Sequence, residues 1–280
     1  MSREHQKLEE NTVQQTLCIP LWGRKIAAEK LPDFFPDRDA GRICRELNVD
    51  FSDNSMNKIQ YAWVNTIIRQ YDLAWEIQNY LKTHPKAVVV ELGAGLSCLR
   101  RQMGNKTNPW YCLDMENVIE IRNAHVPKGE LEHNIVCDLN DFSWFDSIDF
   151  KPEDGIVFTA GGLFYYFETQ QVKRLFTAMA EHFPGGLLVF DATNKRGLKG
   201  VNATVKASGN QSKSFFSLEK PKEELEAWSP RIVNVSERDY IDGYMINGPL
   251  YKKTLFTRIC TVVNRICHMA FIVHLEFKKR

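Results

Sequence analysis

The stretch Val88-Val89-Val90-Glu91-Leu92-Gly93-Ala94-Gly95-Leu96-Ser97-Cys98-Leu99-Arg100 decides the fold. Its opening run of β-branched residues has no polar alternation, the pattern of a strand buried on both faces. Two glycines follow, and glycine lets a backbone turn sharply and approach a ligand with no side chain in between. The dinucleotide fingerprint wants a third small residue three places after Gly95, where Cys98 stands, so that motif is incomplete. Glu91 lies just before the turn. A carboxylate at that strand end repels a pyrophosphate and attracts a cationic amino acid or a sulfonium group, which favours S-adenosylmethionine over a nicotinamide dinucleotide. An oxidoreductase would also use Gly93, Gly95 and Asp114, and Glu91 and Cys98 count against it.

Outward from this turn the chain alternates strand and helix. Strands are expected over residues 87–92, 110–114, 134–137, 155–159 and 187–191, with the clearest helix over 169–182. Short apolar strands separated by helices imply a parallel sheet covered on both faces. Such sheets bind ligands beyond the C-terminal ends of their strands. Those ends carry Glu91, Asp114, Asp138 and Asp191, with Thr159 at the fifth. A short helix is expected over 221–228, a sixth strand over 232–235, a helix within 249–269 and a last, alternating strand over 271–277.

The first 85 residues read as helical, with helices over 26–31, 37–47 and 55–81. In the third, Ile59, Trp63, Ile67, Tyr71 and Trp75 recur at every fourth position and are expected to pack inward. Residues 193–219 are polar, glycine-bearing and without apolar periodicity, and read as a mobile connection beside the site. The organisation expected is a helical cap over 1–85 and a core over 86–280, with lid segments at about 193–230 and 238–250. The fold class is α/β, a Rossmann-like sheet of seven mostly parallel strands with helices on both faces.

The chain has 280 residues, 44% hydrophobic and 25% charged, values of a globular protein with a sizeable core. A formal charge of +1 gives no strong pull toward nucleic acid or an anionic membrane. No stretch approaches the roughly 20 apolar residues that span a bilayer, and the charged N-terminus is unlike a secretory signal. Seven dispersed cysteines without a CxxC pair read as buried thiols in a reducing cytoplasm, with no metal site implied. The oligomeric state is not legible.

The chain resembles the class I S-adenosylmethionine-dependent methyltransferases, in the family of the leucine carboxyl methyltransferases and the tetracenomycin-type polyketide O-methyltransferases. The likeness runs from Val13-Gln14-Gln15-Thr16-Leu17-Cys18-Ile19-Pro20-Leu21-Trp22-Gly23-Arg24 through the glycine turn, Trp110 to Asp114, Asp138-Leu139 and Gly161-Gly162-Leu163-Phe164-Tyr165. The resemblance implies that Gly93 and Gly95 admit the cofactor and that Arg69 pairs with its carboxylate. It implies that Asp114 accepts both ribose hydroxyls, and that Asp138 and Leu139 hold the adenine. Arg24 would lie near the methionine moiety or the substrate carboxylate. Ala160 stands where family members commonly carry an acidic residue, so a hydrogen-bond acceptor would be missing from the cofactor or substrate side.

Methyl transfer from a sulfonium demands alignment above all. A carboxylate acceptor is already ionised at neutral pH, whereas a phenol must lose a proton with a pKa near 10. No histidine falls at an expected strand end, which favours a carboxylate. Tyr165 and Tyr166 either orient the acceptor or line an apolar pocket, and Arg24 is the candidate cation. Phe215, Phe216, Trp228, Tyr240, Tyr244 and Met245 are expected to make the acceptor side aromatic, suiting a small aromatic or polyketide-like acid. A phenol, a protein C-terminal carboxylate and a non-catalytic cofactor-binding role are the alternatives.

Overall fold

The computed structural model describes residues 17–32, 35, 37–50, 60–207, 211–240, 259, 262–263 and 266–279, with backbone alone at 60–65. Strands β1 (Val88–Leu92), β2 (Trp110–Asp114), β3 (Glu132–Val136), β4 (Ile156–Ala160), β5 (Leu187–Thr193), β6 (Ile232–Asp239) and β7 (Ala270–Phe277) form one sheet. Helices are α1 (Cys18–Lys30), α2 (Arg38–Glu46), α3 (Gln60–Thr83), α4 (Leu99–Gln102), α5 (Glu116–His125), α6 (Thr169–His182), α7 (Lys195–Ala207) and α8 (Pro221–Glu226).

The strand order is β3-β2-β1-β4-β5-β7-β6. The first five strands are parallel, and β7 runs antiparallel to both β5 and β6. The order reverses between β1 and β4, the switch point at which such sheets open a crevice. β1, β4 and β5 are buried at every residue, as non-alternating apolar strands require. On one face Val88, Val90 and Leu92 share a core with Phe158, Phe190 and Phe176 of α6. On the other, Val89, Val157 and Val189 meet Ile67, Ile68, Leu73 and Ile77 of α3.

α3 is therefore a layer of the sheet's own core. Of the every-fourth-residue row read from the sequence, Ile67 is buried and Tyr71 packs against this core, but Trp75 does not. Four residues turn a helix through about 400°, so that row drifts off the face, and Trp75 ends 42% exposed with Arg238 stacked over its ring. The buried row includes Asp72 and Glu76, which Arg238 of β6 meets at 2.7 and 2.9 Å. Ile59 and the side chain of Trp63 lie outside the described residues.

α1 is longer than the 26–31 helix expected. Pro20 falls in its first turn, where the missing N–H has no partner to lose. Residues 12–16 of the opening motif lie outside the described residues. With α2, α1 packs Leu21, Trp22 and Ile43 against Leu96 and Cys98 of the glycine turn and Ile121 of α5. β3 begins at Glu132, two residues before the expected start, because its polar opening is matched by arginine.

The expected mobile connection over 193–219 is corrected: α7 occupies its first half. Asn194 caps it, accepting from the N–H groups of Arg196 and Gly197 at 3.0 and 2.9 Å. The Asn194 amide also donates to the carbonyls of Cys267 and His268, tying the helix to the start of β7. Most of the helix expected within 249–269 lies outside the described residues, though 259, 262, 263, 266 and 267 are helical. Among the described residues no helix is long and apolar enough to cross a membrane.

Candidate active site

The glycine turn is pinned from two sides. Gly93 and Gly95 adopt φ of 60° and 50°, the left-handed region that favours glycine. A Cβ on Gly93 would fall 2.5 Å from Leu163. The Gly95 N–H donates to Asp114 Oδ2 at 2.7 Å, and the Met115 N–H donates to Oδ1 at 2.8 Å. Burial lifts the Asp114 pKa above the ordinary aspartate value, and these two donors oppose the lift. From behind, Arg122 of α5 donates to the carbonyls of Gly95 and Ser97 at 3.1 and 2.7 Å. Glu132 and Asn134 of β3 hold the same guanidinium at 2.8 and 2.9 Å.

Glu91 alternates toward the α3 face of the sheet. Its Oε1 accepts from the Trp110 indole at 2.7 Å. Burial raises its pKa, against the opposing charge of Arg122. Across the crevice Asp191, at the end of β5, gathers four donors. The Gly162 N–H reaches Oδ1 at 2.6 Å, while the Tyr165 and Tyr240 hydroxyls reach Oδ2 at 3.0 and 3.4 Å. Arg69 Nη1 completes the set at 3.3 Å. Burial and the Asp191 charge push the Tyr165 pKa well above 10, so its hydroxyl stays protonated.

Between these two hubs lies a cavity of about 810 Å³, within the roughly 300–1,000 Å³ of small-molecule sites. Every site residue expected from the sequence lines it except Ala160. Asp138 is exposed and Leu139 buried at its edge. The Asn140 backbone and side-chain N–H groups both donate to Asp138 Oδ1, leaving Oδ2 without a hydrogen bond among the described residues. Tyr166 also faces the cavity.

Three expectations are corrected. Ala160 pairs in register with Leu92 and Phe190, and its side chain is 1% exposed in the apolar core. The cavity side of this strand end belongs to Thr159, Gly161 and Gly162. A Cβ on Gly161 would sit 3.4 Å from Arg69, whose Nη1 pairs with Asp191. Arg24 lines the cavity without being a free cation. Its Nε donates to Asp37 and its Nη1 to the Leu96 carbonyl, both at 2.6 Å. The aromatic acceptor wall is also smaller than expected: Tyr240 lines the cavity, but Phe216 and Trp228 pack in the core and Phe215 is exposed. Tyr244 and Met245 lie outside the described residues.

The sequence reading gave Asp191 no role and missed Arg122. It missed α7 too, although Val201 and Val205 stand one turn apart on the helix face that lines the cavity. Among the described residues no group of three or more His, Cys, Asp and Glu side chains is placed to hold a metal ion.

A solved structure from Thermobifida fusca YX, assigned as a methyltransferase, superposes with a TM-score of 0.61 at 14% identity, covering 99% of this chain and 98% of that one. The chain has the class I methyltransferase fold. A DUF574 family protein from Streptomyces avermitilis shares it, with a TM-score of 0.59 at 9% identity over 94% of this chain and 97% of that one. Among curated proteins the chain is similar to the tetracenomycin polyketide synthesis O-methyltransferase TcmP of Streptomyces glaucescens. The two are 26% identical over 181 residues. That match spans 64% of this chain and 66% of the relative, just under two thirds of its length. No protein-family model matches the chain.

Proposed function

We propose that this protein is an S-adenosylmethionine-dependent O-methyltransferase acting on the carboxylate of a small aromatic or polyketide-like acid. The observation that carries the reading is Asp114, a half-buried carboxylate at the end of β2 that faces the cavity while accepting the Gly95 N–H at 2.7 Å. A strand-end carboxylate beside a glycine turn suits a nucleoside whose ribose offers two hydroxyl donors and whose amino acid end is cationic. The similarity to an O-methyltransferase of polyketide synthesis supports the same chemistry.

The residues fit the cofactor. Gly93 and Gly95 leave backbone open to the cavity, and Asp114 would accept the ribose hydroxyls. Asp138 Oδ2 would accept from the adenine amine, with Leu139 against the ring. Arg69 keeps further N–H groups for the carboxylate, while Glu91 and Asp191 add negative potential around a positive sulfur. When bound, S-adenosylmethionine supplies an electrophilic methyl group. The protein's part is to align the acceptor oxygen with it and keep water out.

A carboxylate acceptor suits the lining. No histidine lines the cavity among the described residues, Tyr165 is held protonated, and both Asp191 oxygens already accept hydrogen bonds. An acceptor that is already ionised needs none of them. The described cysteines are free, which suits the reducing cytoplasmic setting read from the sequence.

Calorimetric titration with S-adenosylhomocysteine tests this reading. The wild type is expected to bind it and to ignore NADH. Asp114→Ala is expected to weaken binding on the order of 100-fold, since two hydrogen bonds to a charged group are worth ~1.5 kcal/mol or more each. Unchanged affinity in a folded Asp114→Ala protein would overturn the assignment.

A further inference from the structure

The cavity has an arm that the cofactor residues do not use, lined by α7 and by the helical residues that precede β7. These two stretches meet where the Asn194 amide donates to the Cys267 and His268 carbonyls and Gly197 lies against the Met269 carbonyl oxygen. Val201 and Val205 of α7 line the arm, together with Met269, Ile259 and Val263. Ile259 and Val263 stand four residues apart and so share one helix face.

Two independent observations point to a ligand in this arm. Ile259 and Val263 line the cavity and are nevertheless 52% and 40% exposed. Large apolar side chains bared together at the mouth of a cavity are the mark of a ligand groove. Gly200 supplies the second observation. It sits inside α7, where glycine is less favourable than alanine, and a Cβ on it would meet nothing within 4 Å. Packing therefore demands the glycine at 197, against Met269, but not the one at 200. Gly200 lines the cavity and is exposed, so its missing side chain leaves a passage from the cavity to the surface. The walls of this arm are aliphatic. Among the described residues, the aromatic rings that line the cavity lie elsewhere: Tyr165 and Tyr240 bind Asp191, while Tyr166 and Phe167 lead into α6.

We propose that this arm holds a flexible aliphatic chain of the methyl acceptor, whose far end leaves the cavity past Gly200 and the face formed by Ile259 and Val263. The arm is continuous with the part of the cavity that carries Gly95 and Asp114, so a chain lying in it brings its own carboxylate toward the methyl donor. Esterification forms an O–CH3 bond as the S–CH3 bond breaks, the sulfur keeping the electron pair. The chain takes no part in that exchange and serves only to hold the acceptor in place. The inference rests on the methyltransferase reading and narrows its acceptor to an acid with a saturated chain, as against a small aromatic acid.

Protein saturated with S-adenosylhomocysteine is titrated calorimetrically with butanoate, hexanoate, octanoate and decanoate, and in parallel with naphthalene-2-carboxylate. Each methylene taken fully out of water tightens binding roughly four-fold, so decanoate is expected to bind the wild type roughly 100-fold or more tighter than butanoate. Naphthalene-2-carboxylate is expected to bind more weakly than decanoate. Gly200→Phe places a ring over the passage and Val263→Asp a charge on its rim. Each is expected to weaken decanoate binding about ten-fold or more and to leave butanoate and S-adenosylhomocysteine within two-fold. If Gly200→Phe loses S-adenosylhomocysteine affinity through misfolding, Val263→Asp decides. Affinity that does not rise with chain length, a rise that survives in a variant with intact S-adenosylhomocysteine binding, or naphthalene-2-carboxylate binding as tightly as decanoate overturns the aliphatic arm alone. Failure of the wild type to bind S-adenosylhomocysteine overturns the methyltransferase reading and this inference with it.

Discussion

Arg122 shows how one buried side chain sets the geometry of the glycine turn. Its side chain is 2% exposed, and it links Glu132 and Asn134 of β3 to the carbonyls of Gly95 and Ser97. Breaking a buried ion pair from one side costs ~3–5 kcal/mol. Arg100 lies 3.9 Å from the other Glu132 oxygen and limits the loss, so Arg122→Met is expected to cost about 3 kcal/mol in urea denaturation. S-adenosylhomocysteine affinity should fall with it, because the turn loses two of its anchors. Arg122→Lys keeps the charge without the planar fork that reaches both carbonyls. Full affinity in the lysine variant would show that charge alone suffices.

At the scale of elements, α7 carries two glycines with opposite constraints. A Cβ on Gly197 would fall 2.1 Å from the Met269 carbonyl oxygen, so the helix approaches the start of β7 only because that side chain is absent. A Cβ on Gly200 would meet nothing within 4 Å. Gly197→Ala is therefore expected to destabilise by ~1–3 kcal/mol through overpacking. Gly200→Ala is expected to stabilise by ~0.5–1 kcal/mol, since alanine loses less entropy in a helix. Urea midpoints of the two variants check the signs, and the same sign for both would sink the account. These glycines also explain why α7 was not legible: they thin the apolar row to Val201 and Val205, and the contact that requires Gly197 comes from a segment more than 70 residues away.

Across the whole molecule, α3 is joined to β6 and β7 by a buried charge cluster. Arg238 binds Asp72 and Glu76, and His274 of β7 lies 3.4 Å from Glu76. Burial pushes the Asp72 pKa up to about 7, with Arg238 opposing the rise. The unfolded chain loses this proton near its ordinary value of about 4, so between pH 4 and 7 the folded state holds more protons than the unfolded one. Stability then falls as pH rises through that window. Glu76 is shifted downward, so its titration falls below pH 4.5 and outside most of the window. From pH 5 to 7 the Asp72 contribution to the loss is on the order of 2 kcal/mol. Asp72→Asn keeps an acceptor for Arg238 and should remove that slope. Parallel pH dependences for wild type and variant, measured by urea unfolding, would show that Asp72 does not titrate there.

The strand run before Gly93, the glycine turn and the carboxylates at successive strand ends were legible because each is a local pattern: buried strands, tight turns and strand termini are specified by adjacent residues. From them followed the parallel sheet and, among the residues that line the cavity, Glu91, Gly93, Gly95, Asp114 and Asp138, while Arg24, Arg69 and Leu139 came from the family resemblance. Which face a side chain takes was decided in three dimensions. Strand alternation and register turn Ala160 into the core beside Phe190, and Arg24 meets Asp37 only because α1 and α2 fold against each other. Asp191 became a hub through contacts between segments distant in sequence. Spacing along one chain carries no information about such distances; only packing does.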